Sequence, residues 1–448
     1  MLRKNWMFIL MVLGLCWLTL AVARPSSEAA GAGGQRRLDR AGNALPQDFY
    51  TDFVRFSPDQ YPEAICNDGT PAGYDVQRPT EGSTDWVIYL NGGGYCSDDA
   101  SCTTRWRSLS QYMTSKNWPP FDFTTQGIVS SAGIFSQSNR VNLRYCSSDL
   151  WTGGHVGVFN PQNPPPKRTL IPVGNWHFRG PAIIEAAIDD LFRFGLEDAD
   201  TVLIVGASAG GFGVLNNIDR YSAEISQRIP GVTVRGIADA GWLYPAIPYS
   251  GSPTLAHDLL TEAMTNWEGQ EGINQACRNA LGPDEAWRCY LGGATGPFIQ
   301  SVLLVMEHQV DAFMLQQFGG VGFRTTQVNY QGVSYKGYKP ASLSAGELQF
   351  MTDYADCLRD TLPLLGDNIA YYLPFDPGQI MVHVMTAGNF FSLPFHFPQG
   401  YIPPQQAILE WLAAVNAGDP SLYANYISNV PSDLPFPQIA DCANVALP

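Results

Sequence analysis

Val202-Leu203-Ile204-Val205-Gly206-Ala207-Ser208-Ala209-Gly210 decides how this chain folds. The apolar, β-branched run reads as a buried strand, and the small residues after it permit a tight corner before a helix begins. A strand, a Gly-x-Ser-x-Gly corner and a helix together form a nucleophile elbow, in which the serine hydroxyl is pushed into a cleft. The same residues would also suit a glycine-rich turn whose serine merely caps the helix. Partners elsewhere in the chain make Ser208 the candidate nucleophile.

Working outward, Ile183, Ile184, Ala187, Ile188, Leu191 and Phe192 recur at helical spacing before the elbow strand, and Gly180-Pro181 places proline where a helix starts. After the elbow, Val214, Leu215 and Ile218 continue a helix, and residues 234–238 read as another strand. Residues 86–90 form a strand candidate that ends in Asn91-Gly92-Gly93-Gly94-Tyr95. Ile380-Met381-Val382-His383-Val384-Met385 reads as a late strand, and Ile408, Leu409, Trp411, Leu412 and Val415 as a C-terminal amphipathic helix. Strands separated by helices predict an α/β fold with a mostly parallel central sheet covered on both faces. The Pro- and Gly-rich stretches 160–172 and 241–253 read as long loops around a cleft.

The 448-residue chain carries a formal charge of −15, which argues against a nucleic-acid partner. Arg3 and Lys4, an apolar stretch over 6–20 and Ala21-Val22-Ala23 read as an export signal over 1–23, with no stable membrane anchor expected. Residues 24–46 have the composition of a disordered leader, and 47–448 read as a single domain. Secretion, to the exterior or the periplasm, makes disulfides the expected state of the eight cysteines beyond the signal. Short separations pair Cys96 with Cys102 and Cys277 with Cys289; Cys66–Cys146 and Cys357–Cys442 is one arrangement of the others, which spacing alone does not fix. Without a Cys-x-x-Cys pair, a zinc site is not expected.

Ester hydrolysis by a serine needs a general base, an acid to orient it, and donors for the oxyanion. The glycine loop supplies backbone donors that no side chain obstructs: the Gly93 N–H with Gly92 as neighbour, joined by the Ala209 N–H after the nucleophile. A late histidine suits the order nucleophile, acid, base, which leaves His383 and His396. His396 is favoured because a loop leaving a strand's end can carry a base to the cleft, whereas His383 lies within the apolar run. Asp311, between nucleophile and base, and Asp239, at the end of the 234–238 strand, both suit the acid, and spacing does not choose between them.

Several motifs resemble the pectin acetylesterase/Notum family, in family order over about residues 62–242. They are Cys66-Asn67-Asp68-Gly69-Thr70-Pro71-Ala72-Gly73-Tyr74, Asn91-Gly92-Gly93-Gly94-Tyr95-Cys96, Tyr145-Cys146-Ser147-Ser148-Asp149-Leu150-Trp151-Thr152-Gly153, Phe178-Arg179-Gly180, the elbow through Gly213, and Ala238-Asp239-Ala240-Gly241-Trp242. The resemblance implies an α/β-hydrolase-like carboxylesterase with a Ser-Asp-His triad: Ser208 as nucleophile, Asp311 as acid, His396 as base, and Gly93 and Ala209 as oxyanion donors. Asp239 then matches a family aspartate outside the triad. The chain departs from the family at Asn91, where Glu is common, at Tyr95, where plant enzymes carry Trp, and near His396, where the family's usual cysteine is missing.

The resemblance implies a secreted, monomeric serine esterase that needs no cofactor and acts on an acylated carbohydrate or another ester, most simply by deacetylating a polysaccharide such as pectin. Gly94 resembles the acetylesterase branch, because the Notum branch places tryptophan there. The alternatives are a Notum-like deacylase that removes a fatty acyl group from a protein, and a non-catalytic glycan-binding protein on the same scaffold.

Overall fold

The structure, a computed structural model, describes residues 49–119, 127–156, 176–244, 255–317, 325–330, 333–338, 344–362, 365–375, 382–420 and 425–428. All lie in one compact unit, Asp48–Pro448. The expected signal and leader, the loop at 160–172, most of the loop at 241–253, and Cys442 fall outside the described residues.

Among the described residues the central sheet has nine strands: β1 Phe49–Arg55, β2 Gly73–Pro79, β3 Asp85–Leu90, β4 Asn139–Leu143, β5 Thr201–Ala207, β6 Thr233–Asp239, β7 Leu303–Met306, and two more described below. Short two-stranded pairs, β8 Thr325–Tyr330 with β9 Val333–Tyr338 and β11 Phe395–Phe397 with β12 Gly400–Ile402, lie outside it; β10 Ile369–Leu373 and β13 Tyr426–Ile427 complete the large sheet. Its order is β1-β2-β4-β3-β5-β6-β7-β10-β13, antiparallel from β1 to β4 and parallel from there to β13.

Alternation along the central strands divides the core into two layers. Trp86, Ile88 and Leu90 of β3 join Val202 and Ile204 of β5 in one layer, while Val87 and Tyr89 join Leu203, Val205 and Ala207 in the other. The first layer is covered by α2 Gly180–Leu191 and α3 Ala209–Arg228, through residues such as Ile184, Leu215 and Ile218. The second is covered by α9 Pro404–Ala417, through Ile408 and Trp411. Because both faces are buried, the strands read as continuous apolar runs. Each fully buried aliphatic side chain adds about 1.5–3 kcal/mol, which holds the two layers to the sheet.

The structure has the α/β-hydrolase architecture expected from the sequence. Three disulfides close Cys66–Cys146, Cys96–Cys102 and Cys277–Cys289; Cys357 is also disulfide-bonded. The strand expected at 380–385 is a difference. The late parallel strand is β10, and residues 382–385 form a partly buried loop beyond it. Val382 and Met385 are buried in the second layer, which accounts for the apolar run. The Met385 and Thr386 N–H groups, however, donate to the Asp239 carboxylate at 2.8 and 2.6 Å instead of to a neighbouring strand.

Candidate active site

Ser208 sits between β5 and α3 with φ 55° and ψ −119°, a backbone conformation unfavourable for a residue with a side chain. Its N–H donates to the Asp239 carbonyl at 2.8 Å, which fixes the corner to the end of β6. The flanking glycines are required sterically. A Cβ at Gly206 would stand 1.9 Å from the Gly210 carbonyl oxygen, and one at Gly210 would stand 2.0 Å from that of Leu90. The strained turn is therefore held in place by backbone packed against it from β3, β6 and the start of α3.

Asp311 lies beyond β7, fully buried, and accepts the Met314 N–H at 2.9 Å. The histidine that meets both groups is His383. Its Nδ1 lies 2.7 Å from Asp311 Oδ2, and its Nε2 lies 2.8 Å from Ser208 Oγ. Phe313 stacks on the ring at a centroid distance of 4.8 Å and an interplanar angle of 28°, which holds its plane. Burial lowers the proton affinity of His383, but the charge and hydrogen bond of Asp311, with the charge of Asp239, outweigh it and the net shift is upward.

His396, the histidine expected from its position in the sequence, is not part of this cluster. It lies on β11 as the exposed residue between buried Phe395 and Phe397, pairs with Tyr401 of β12, and meets that ring edge-on at 5.1 Å. Loop and strand are the reverse of the expectation from the sequence. His383 is the loop residue, and His396 is on a strand of a surface hairpin.

Among the described residues Asp239 forms no hydrogen bond with His383; it ties together the two segments that carry Ser208 and His383. Its backbone carbonyl holds Ser208, and its Oδ2 accepts from Met385 N, Thr386 N and Thr386 Oγ1 at 2.8, 2.6 and 2.6 Å. Burial raises its pKa to about 6 despite these donors, which favour the ionised form. Glu307, also fully buried, accepts the Trp242 N–H at 2.9 Å; burial and then the neighbouring Asp311 push it well above the usual carboxylate range. Sequence reasoning did not find this role for Glu307, and a lone glutamate after an apolar strand gives little signal for it.

The glycine loop reaches the elbow from β3. A Cβ at Gly92 would stand 2.6 Å from the Ala207 carbonyl oxygen and 2.7 Å from Ser208 Cβ, so glycine there permits direct contact with the turn at Ser208. Among the described residues no side chain or carbonyl accepts the Gly93 N–H, and Ala209 opens α3, where N–H groups lack intrahelical partners. No group of metal-ligating side chains occurs among the described residues. A serine hydroxyl, a half-buried imidazole paired with a buried carboxylate, and free backbone donors beside them can carry out acyl transfer.

The pectinacetylesterase family profile matches residues 46–370. Palmitoleoyl-protein carboxylesterase Notum from Mus musculus is 32% identical over 262 residues, 56% of this chain and 48% of that protein. Its Homo sapiens counterpart is 31% identical over 263 residues, 56% of this chain and 49% of that protein. The chain thus spans about half the length of these relatives. The solved structure of the Wnt deacylase Notum from Drosophila superposes with a TM-score of 0.66 over 85% of this chain and 96% of that one, at 23% identity, which is a likeness of fold.

Proposed function

The chain belongs to the pectinacetylesterase family, and from that premise we propose that it is a serine carboxylesterase whose triad is Ser208, His383 and Asp311. The observation that carries the reading is the pair of contacts made by His383, 2.8 Å to Ser208 Oγ and 2.7 Å to Asp311 Oδ2. His383 takes the Ser208 proton from Oγ onto Nε2 as the oxygen attacks an ester carbonyl, and Asp311 stabilises the imidazolium through Nδ1–H. The Gly93 and Ala209 N–H groups, with Gly92 keeping the loop against the elbow, stabilise the oxyanion; each donor contributes about 3–4 kcal/mol in comparable sites. The leaving alcohol takes the proton from His383, and water, activated by the same ring, hydrolyses the acyl-enzyme.

The family description supports an acetylated polysaccharide as substrate, and the Notum relatives support a fatty-acylated protein. Three closed disulfides support export to an oxidising compartment, in keeping with the signal read at 1–23, and no helix among the described residues is long and apolar enough to cross a membrane. One chain supplies every group the reaction uses, so a monomer suffices. Hydrolysis of p-nitrophenyl acetate and octanoate by the protein and its Ser208→Ala variant tests the proposal. Turnover lost in the variant supports the esterase, and the acetate-to-octanoate ratio separates the two substrate classes. Equal turnover by both proteins would overturn the reading.

A further inference from the structure

We propose, on the esterase reading above, that Arg105 is a positioning residue for the oxyanion loop, fixing the peptide that follows Gly93 and lending it positive charge. Arg105 lies on α1 Asp99–Leu109, and only 6% of it is exposed. Its Nη2 donates to the Gly93 carbonyl at 2.6 Å and its Nε to Ser148 Oγ at 2.8 Å. Ser148 Oγ donates to Asn67 Oδ1 at 2.7 Å, and Asn67 Nδ2 donates to the Ser147 and His177 carbonyls, each at 2.7 Å. The three motifs around Asn67, Gly93 and Ser148, far apart in the chain, thus meet at one guanidinium.

No carboxylate pairs with this guanidinium among the described residues; its further neighbour is the Tyr112 ring, 5.5 Å away. Removing an ion from water without a counter-ion costs several kcal/mol, so stability alone does not account for a cation here. Acyl transfer does account for it, because negative charge develops where this loop's donors point. A charged donor on the Gly93 carbonyl polarises the Gly93–Gly94 peptide, lowers the electron density at Gly93, and, because that peptide is planar and trans, fixes the orientation of Gly93 and with it the direction of the Gly93 N–H. Gly94 has φ +71°, and a Cβ there would stand 3.5 Å from Arg105 Nη1, so the guanidinium and the loop lie in contact. The Cys96–Cys102 disulfide ties the end of the loop to α1 one turn before Arg105.

The test compares Arg105→Met and Arg105→Lys with the wild type on p-nitrophenyl acetate, alongside the affinity of each for an alkyl trifluoromethyl ketone. Ser208 Oγ adds to that ketone's carbonyl carbon, His383 takes the proton, and the resulting hemiketal oxyanion occupies the donor site. Arg105→Met should lower kcat about 100-fold, the scale of one lost oxyanion donor, with KM changed less than about threefold and ketone affinity falling in step with kcat/KM. Arg105→Lys should lose about tenfold, because one ammonium cannot span both Gly93 O and Ser148 Oγ, and it carries the test if the methionine variant does not fold. A kcat within about threefold of wild type in a folded variant, or a lowered kcat with unchanged ketone affinity, would overturn the proposal. Wild type without Ser208-dependent turnover would instead overturn the esterase reading, and this proposal with it.

Discussion

Asp239→Asn should separate what the site needs for stability from what it needs for reaction. The Asp239 carboxyl is fully buried, and its rise from 3.8 to about 6 corresponds, at about 1.4 kcal/mol per pH unit, to about 3 kcal/mol against the ionised native state at pH 7. The cost is absent below pH 3.8, where the carboxyl is protonated in both states, and is fully present once pH has risen through about 6. Asparagine removes that cost. Its amide oxygen can replace Oδ2 against Met385 and Thr386, but its NH2 would take the place of Oδ1, which has no partner among the described residues. An unsatisfied buried donor costs about 1–3 kcal/mol, so at pH 7 the variant should be between equal to and about 2 kcal/mol more stable than wild type. Urea unfolding at pH 4 and pH 7 measures this, and the variant's advantage should vanish or reverse at pH 4. The kcat should still fall about tenfold, because neutral acceptors hold the His383 loop more weakly than charged ones. A variant more than about 2 kcal/mol less stable than wild type at pH 7 would refute the claim that this charge is held at a cost.

A protonated His383 cannot accept the Ser208 proton, so its upward shift predicts an acid limb of kcat/KM above the ordinary 6.5. In Asp311→Asn that limb should move down while kcat falls by several orders of magnitude, as a pH–rate profile would show. Gly210→Ala should abolish folding, its Cβ falling 2.0 Å from the Leu90 carbonyl oxygen, whereas Gly231→Ala, with φ +91° and open space, should cost about 1–2 kcal/mol in thermal unfolding. Removing Cys66–Cys146, 80 residues apart, should destabilise by about 4.5 kcal/mol and removing Cys96–Cys102, six apart, by about 2 kcal/mol on the chain-entropy model, as measured by denaturant unfolding.

The elbow, β3, β5, β6, α2 and α9 were legible because central parallel strands and their covering helices carry unbroken or periodic apolar patterns. The strands β2 and β4 escaped because each alternates only two apolar residues, Tyr74 and Val76 or Val141 and Leu143, with buried polar ones: Asp75 receives Arg144 at 2.6 and 2.8 Å, and Asn142 sits beside it. The histidine that meets Ser208 and Asp311 was hidden for a related reason. Val382 and Met385 beside His383 are apolar because they are buried, and the backbone donors that would betray a non-strand conformation are satisfied by Asp239, some 146 residues earlier in the chain. Sequence periodicity sees burial but not the long-range carboxylate that replaces a strand partner. Arg105 was hidden in the same way, since its carbonyl and hydroxyl partners come from segments brought together only by the fold.

The most direct test of the account is ester turnover by His383→Ala beside His396→Ala, each checked for folding by circular dichroism. The account predicts that His383→Ala loses several orders of magnitude in kcat, while His396→Ala, altered only at an exposed hairpin, stays within about threefold of wild type. Near-normal turnover in His383→Ala with a collapse in His396→Ala would contradict it.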